Sequence, residues 1–241
     1  MERLIAGAIK LGVHLSPVQI EQFETFYRLL VEWNQRINLT SVIDYEEVQV
    51  KHFLDSLTVI LTVSDALNDS GAALDMIDVG AGAGLPGIPL KLVLPRSRLV
   101  LLDSVGKKVS FLRELVRRLG LDQVEIVTDR AETAAHQTPY REKFNLVLAR
   151  ALARLPVAAE LTLPFCRHQG ITVHHKKGDI ASELNEAEAA IKILGGNLRE
   201  VVPIELDELP DSRCLVVIEK VYSTPGKYPR RAGIPQKRPI E

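Results

Sequence analysis

The stretch "MIDVGAGAGLPGIPLKLVLP", residues 76 to 95, sets an acid and alternating glycines between an apolar run and a helical pattern. Glycines permit a tight turn and close approach of a ligand to the backbone. If the run is a strand of an open parallel sheet, Gly80 to Gly87 lie beyond its carboxyl end, where such sheets bind ligands. Two readings compete. Gly82-Ala83-Gly84-Leu85-Pro86-Gly87 satisfies G-x-G-x-x-G, the dinucleotide fingerprint. Taken earlier, Asp78-x-Gly80-x-Gly82-x-Gly84 is the acid-plus-glycines pattern of S-adenosylmethionine (SAM) methyltransferases. SAM has an ammonium and a sulfonium but no phosphate. An acid at Asp78 suits such a cation and would repel a pyrophosphate, which favours SAM.

Further residues fall at matching positions. Asp103 ends the next apolar run, 21 residues beyond Gly82, where a carboxylate can accept hydrogen bonds from both ribose hydroxyls. "TDRAET" at 128 to 133 follows the third run and offers Ala131 and Glu132 to an adenine. Glu132 could equally open a helix, where a carboxylate suits the dipole. Arg150 closes "LVLAR" beside the same crevice, facing both cofactor and acceptor or making a surface salt bridge. His52 and Asp55 lie one helical turn apart, as a structural pair or as pocket lining.

The acceptor is narrowed by what is missing. Methyl transfer is an in-line displacement whose first need is alignment, worth roughly 7–11 kcal/mol of barrier. Exocyclic amine acceptors commonly use an Asn/Asp-Pro-Pro-aromatic loop, and this chain has no Pro-Pro. Carbon-5 chemistry on pyrimidines needs a cysteine nucleophile. Cys166, at an apolar helix end, and Cys214, opening a strand, read as core. A ring nitrogen such as guanine N7 carries a free lone pair and needs only positioning and charge stabilisation. The residues permit that acceptor without singling it out. No metal-ligand spacing or disulfide framework is present.

The elements that must hold these residues come from periodicity. Residues 1–70 read as a helical N-terminal cap, with Ser16, Pro17 and Gln19 forming a helix start. "EEVQVKHFLDSLTVI" reads as a second helix, and "NDSGA" at 68 to 72 as a boundary. Residues 71–222 read as the cofactor-binding core. Strands are expected at "LDMIDV", "RLVLLD", "VEIVT", "FNLVLAR", "GITVHHK", "REVVPIEL" and "CLVVIEK", and helices at 86–94, 106–119, 154–165 and 179–194. The alternation predicts an α/β fold. Its sheet is seven-stranded and mostly parallel, with helices on both faces and an antiparallel closing hairpin around 200–207 and 213–221. Residues 223–241 form a Pro-rich basic tail, packed on or near the core, that forms no regular helix or central strand.

The 241 residues carry a net charge of -1, yet the tail alone is +4. Its Lys227, Arg230, Arg231 and Lys237, with Lys177 of "HHKKG" and Lys107 and Lys108 after Asp103, are candidates for RNA phosphates. The other reading of these is a disordered charged terminus and solvated element ends. No apolar run approaches a membrane span and no secretory cleavage site precedes the chain, so a soluble cytoplasmic protein, a monomer, is expected.

"EWNQRINLTSV", "KHFLDSL", "DVGAGAGLPGIPL", "LLDSVGKKVSFL", "DRAET", "LVLARALARL", "KKG", "CLVVIEK" and "YPRRAGIPQKRPI" together resemble the RsmG (GidB) family of bacterial small-subunit rRNA guanine-N7 methyltransferases. The resemblance covers essentially the whole chain. It implies a class I SAM-dependent methyltransferase (Rossmann-like) fold, SAM as cofactor with S-adenosylhomocysteine as product, and the small ribosomal subunit as partner. The implied target is N7 of guanine 527 in the 530 loop of 16S rRNA. The family's cofactor positions fall on Gly80, Leu85, Asp103, Ala131, Glu132 and Arg150. Ala81 and Leu85 depart from the hydroxyl and aromatic residues common there, and "VHHKKG" is more cationic than the usual apolar run. Arg150 is then expected to orient the target. Two other functions remain: a nicotinamide-dependent oxidoreductase using the G-x-G-x-x-G register, and a non-catalytic, SAM-responsive RNA-binding module.

Overall fold

A computed structural model describes residues 1–63 and 74–241; the expected boundary at 68 to 72 lies outside the described residues. Seven strands, β1 (Asp75–Val79), β2 (Arg98–Asp103), β3 (Val124–Thr128), β4 (Phe144–Arg150), β5 (Cys166–Lys177), β6 (Gly196–Pro203) and β7 (Arg213–Lys220), form one sheet. Their order is β3-β2-β1-β4-β5-β7-β6. β1 to β5 are parallel, and only β7 runs antiparallel to its neighbours β5 and β6. The order reverses between β1 and β4. That reversal leaves a crevice at the strand ends carrying Val79 and Arg150.

Strand side chains alternate between faces, and the packing follows that period. Met76, Leu99, Leu101, Leu146 and Leu148 join one apolar cluster, while Ile77, Val100, Leu102 and Val147 join another. The first cluster also contains Leu4, Phe23, Phe26 and Phe53, so the N-terminal helices share the core of the sheet. These are α1 (Glu2–Lys10), α2 (Pro17–Asn34) and a helix that starts as α3 (Tyr45–Val48). The latter passes through a π-helical stretch, Gln49–Leu54, and ends as α4 (Asp55–Leu57).

The helix start at Ser16 is as expected, a capping box with Gln19 and Pro17 at the first helical position. Two polar contacts fix α2 on the core helices α5 (Gly87–Val93) and α6 (Gly106–Leu119). Gln19 Nε2 donates to Leu92 O at 2.8 Å, and Gln22 Nε2 donates to Leu119 O at 2.9 Å. Both carbonyls lie in final helical turns, where no intrahelical donor remains. Trp33 packs edge-on against Phe111 and thus belongs to this interface.

Three expectations shift. Cys166 begins β5 rather than ending a helix; it is buried, and burial pushes its thiol up to about 12, so it remains a core residue. The helix ahead of it is α8 (Leu155–Thr162), after the short α7 (Ala131–Ala134), and closes with a 3-10 turn at Leu163–Phe165. After α9 (Ala181–Ile193), β6 stops at Pro203, short of 207. In the tail, Ile234–Lys237 forms one helical turn, α10, which the prolines were expected to forbid. Pro235 sits in its first turn, where a missing N–H costs nothing.

Phe53 is fully buried, with ring centroids 5.1 Å from Phe23 and 5.0 Å from Phe26. Phe53→Ala is expected to lower unfolding free energy by about 3–5 kcal/mol. Urea denaturation checks this, with the midpoint falling.

Candidate active site

β1 delivers the chain into the glycine turn at Gly80. Gly80, Gly82 and Gly84 all adopt positive φ, which other residues rarely tolerate. At Gly80 a Cβ would also lie 2.7 Å from Leu152 Cδ1, so that side chain would have to shift. Asp103, ending β2, faces the turn. Its Oδ2 accepts from Gly82 N at 2.9 Å and its Oδ1 from Val105 N at 2.8 Å. Two backbone donors therefore hold the carboxylate in one orientation, with lone pairs remaining for further donors.

A cleft of about 400 Å³ opens here, lined by Gly80, Asp103, Lys108, Ala131, Glu132 and Leu152 among others. Strand-end acid, bare backbone at Gly80 and the two residues after β3 thus share one cavity. This donor set fits a nucleoside: a fixed carboxylate for vicinal hydroxyls, with an apolar wall of Leu102, Leu152 and Val157.

The structure places the other turn residues differently. Asp78 is fully buried behind the turn, outside the cleft. Its Oδ2 accepts from Gly87 N at 2.8 Å, at the start of α5, and its Oδ1 has no partner among the described residues. Burial raises its pKa to about 7, against the Gly87 amide that lowers it. The carboxylate thus braces strand against helix, with its side chain directed to the helix start. Gly82 and Gly84 shape the turn without lining the cleft, and Leu85 packs into the apolar cluster shared with the N-terminal helices.

A second cavity of about 300 Å³ adjoins the first, and Ala151 and Leu152 line both. Its walls include Asp55, Arg150, His175, Lys176 and Arg213. Asp55 is the hub. Its Oδ2 lies 3.2 Å from Arg150 Nε and its Oδ1 accepts from Arg213 Nη1 at 2.7 Å. Its backbone carbonyl accepts from His175 Nε2 at 3.0 Å. Burial by itself would raise the Asp55 pKa, but Arg150, His175 and Arg213 together hold it below the ordinary carboxylate value.

Arg150 also donates to Lys51 O at 2.6 Å and lies 3.2 Å from His52 Nδ1. His52 pairs with Thr40 Oγ1 at 2.7 Å rather than with Asp55. Lys176 reaches Ala153 O and Glu183, and the expected Lys177 pairs with Asp211 at 2.9 Å; both line this cavity.

Lys107, Lys227, Arg231 and Lys237 are exposed as expected. Arg230 is not free. It forms a bidentate pair with the fully buried Glu160, Nη2 to Oε2 at 2.6 Å. Releasing it would strand a buried carboxylate. Arg213 and Glu160 were not singled out from sequence, His175 and Lys176 only within "HHKKG" as a basic stretch; for Asp55 the only signal was its spacing from His52.

The sequence model of the GidB family, described as rRNA small subunit methyltransferase G, matches residues 19–209. The chain belongs to that family. It is 47% identical over 242 residues to a ribosomal RNA small subunit methyltransferase G of Dehalococcoides mccartyi, covering both chains fully. It is 43% identical to that of Lachnoclostridium phytofermentans, covering 98% of this chain and 96% of the relative. Among solved structures, magnesium protoporphyrin IX methyltransferase (ChlM) from Synechocystis, with bound SAM, superposes with a TM-score of 0.55 at 12% identity, covering 85% of this chain and 98% of that one. This likeness shows the class I methyltransferase fold. Membership makes the chain a SAM-dependent rRNA methyltransferase and removes the oxidoreductase reading of the glycine turn. Among the described residues, no helix is long and apolar enough to cross a membrane.

Two predictions follow from the acceptor-side cluster. Asp55→Asn leaves Arg150 and Arg213 without their shared charge and is expected to cost about 3–5 kcal/mol. Because the native pKa of Asp55 is depressed, its contribution is present above the unfolded value and lost as pH falls through the native one. The variant should therefore show a shallower loss of stability at acid pH. His52 works over a higher window: burial first, then Arg150, lowers it from about 6.5 to about 4. The unfolded chain binds that proton first, so stability declines as pH drops from about 6.5 to about 4, by up to about 1.4 kcal/mol per pH unit for this group. Chemical denaturation from neutral pH down through and below the ordinary carboxylate range checks both, and His52→Asn should flatten the second slope.

Proposed function

We propose that the chain transfers the methyl group of SAM to N7 of a guanine in 16S rRNA, guanine 527 of the 530 loop by family resemblance. It would act as a cytoplasmic monomer on the small ribosomal subunit. The observation that carries this reading is the pair of clefts meeting at Ala151 and Leu152, one suited to a nucleoside and the other walled by fixed cations. SAM supplies an electrophilic methyl on a sulfonium.

Asp103 holds the ribose, with its carboxylate already oriented by Gly82 and Val105. Gly80 admits the cofactor against backbone, and Ala131 and Glu132 border the adenine. Gly82 and Gly84 keep the turn in shape, and Asp78 and Leu85 support it from behind. Guanine N7 has a lone pair in the plane of the ring, so no residue needs to remove a proton. The chain's contribution is orientation, which supplies the larger share of such a barrier. Arg150, pinned by Asp55 and by the Lys51 carbonyl, presents a fixed cationic edge to the acceptor cavity. A planar guanidinium so held can position a base or a flanking phosphate. Lys107, Lys108, Lys227, Arg231 and Lys237 serve RNA phosphates, and Lys177 adds charge on the same rim.

The test is methyl transfer from labelled SAM to small subunits from cells lacking the enzyme, with the modified base mapped. Incorporation at N7 of one guanine in the 530 loop is expected. No incorporation at any salt concentration would favour the non-catalytic binding module. Asp103→Ala is expected to raise the KM for SAM by at least about tenfold, from loss of charge-assisted hydrogen bonds. The KM for the small subunit should stay nearly unchanged.

A further inference from the structure

We propose that the C-terminal segment is part of the cofactor site: Tyr228 to Gln236 form a strap that walls the purine end of the cleft, latched by Arg230 on Glu160, with Gln236 facing the purine. The proposal rests on the SAM reading of that cleft.

A Pro-rich segment of high positive charge has the composition of a loose RNA arm. Its contacts are of another kind. Arg230 places both its backbone N–H (2.8 Å) and its guanidinium (Nε at 2.9 Å) on Glu160 Oε1. Glu160 lies on α8 and is fully buried. A buried carboxylate needs a partner, so Arg230 has one place to be. Around the latch, His136 Nε2 donates to Pro229 O at 2.8 Å, and Arg141 donates to Tyr228 O at 2.9 Å and Thr224 O at 2.8 Å. Tyr228, Pro229 and Pro235 are buried. Lys227, Arg231 and Lys237 point outward. The strap thus buries Tyr228, Pro229 and Pro235 and leaves these three cations in solvent.

The strap then enters the cleft. Gly233, Pro235 and Gln236 line it together with Asp103, Ala131 and Glu132. Gly233, at φ 81°, donates its N–H to Glu132 Oε1 at 3.0 Å. Glu132, the residue that borders the adenine, is therefore held on one oxygen by the strap and keeps the other free. Glutamine carries a donor and an acceptor side by side, and that pair matches the amine and ring nitrogen on one edge of adenine. Pro235 fixes the backbone just before it. The purine end thus has an acidic side from α7 and an amide side from the tail, joined by one hydrogen bond.

Calorimetric titration of the full chain with S-adenosylhomocysteine, paired with steady-state methylation of small subunits, tests this. Gln236→Ala is expected to weaken binding about 3- to 10-fold, the range for one lost hydrogen bond. The neutral double variant Glu160→Gln/Arg230→Met is expected to weaken it by about tenfold or more. In both, the KM for SAM rises while the KM for the small subunit stays within about twofold. Trypsin cleavage after Arg231 and Lys237 should also slow when S-adenosylhomocysteine is added, relative to cleavage after Arg118 on α6. Normal affinity in both folded variants overturns the strap, as does a rise confined to the KM for the small subunit, which would make the tail an RNA arm. If the double variant does not fold, Gln236→Ala, an exposed position, decides alone. Absence of binding by the wild-type chain would instead sink the cofactor reading, and the strap with it.

Discussion

The Asp55 carboxylate is the constraint on which the cavity beside Arg150 depends. It lies on the helix that follows the π-helical turn, and it is shared between Arg150 at the end of β4 and Arg213 at the start of β7. Through its carbonyl it also holds His175 of β5. Three strands and an N-terminal helix are thereby tied at one point. Two buried guanidiniums without this anion would repel each other and be costly to desolvate. With Asp211 completing the set on Arg213, the cluster is balanced in charge. The cations can then be fixed at a cavity wall without closing it.

The cofactor side is built by a different principle. There the backbone carries most of the specificity. The turn presents bare chain at Gly80, Gly82 N–H and Val105 N–H fix Asp103, and Asp78 secures the first turn of α5 from behind. Backbone donors lose little freedom on binding because the sheet has already ordered them, and such preorganisation is what orientation-limited chemistry requires. The N-terminal helices are not an appendage to this arrangement. Phe23, Phe26 and Phe53 occupy the same apolar cluster as Leu99, Leu101 and Leu148, so the helix that leads into Asp55 is seated on the core of the sheet.

Much of the fold was legible before any coordinates. Short apolar runs marked all seven strands, and the pair of strands at the end, with no helix between them, foretold the antiparallel β7. The spacing from the glycine turn to Asp103 placed a carboxylate on the cleft, and Ala131 and Glu132 followed from their position after β3. Asp78 was read as facing a ligand because an acid beside glycines suggests a cation. Its direction is set by strand alternation and by the Gly87 amide, and both turn it inward. The pairing of Arg230 was not legible because composition counts cations without their partners, and Glu160 lies 70 residues from Arg230.

The sequence by itself determined the order of elements, the turn, the acid at the end of β2 and the family's chemistry, because each rests on local spacing or on motifs written along the chain. Only the tertiary structure decided which charges are spent inside the protein and which remain for a ligand. Asp55 meets Arg213 across 158 residues, and Arg230 meets Glu160 across 70. Such pairings come from how strands stack, how a side chain alternates and what lies opposite when the chain closes. Coulomb energy and desolvation depend on those distances and not on order along the chain.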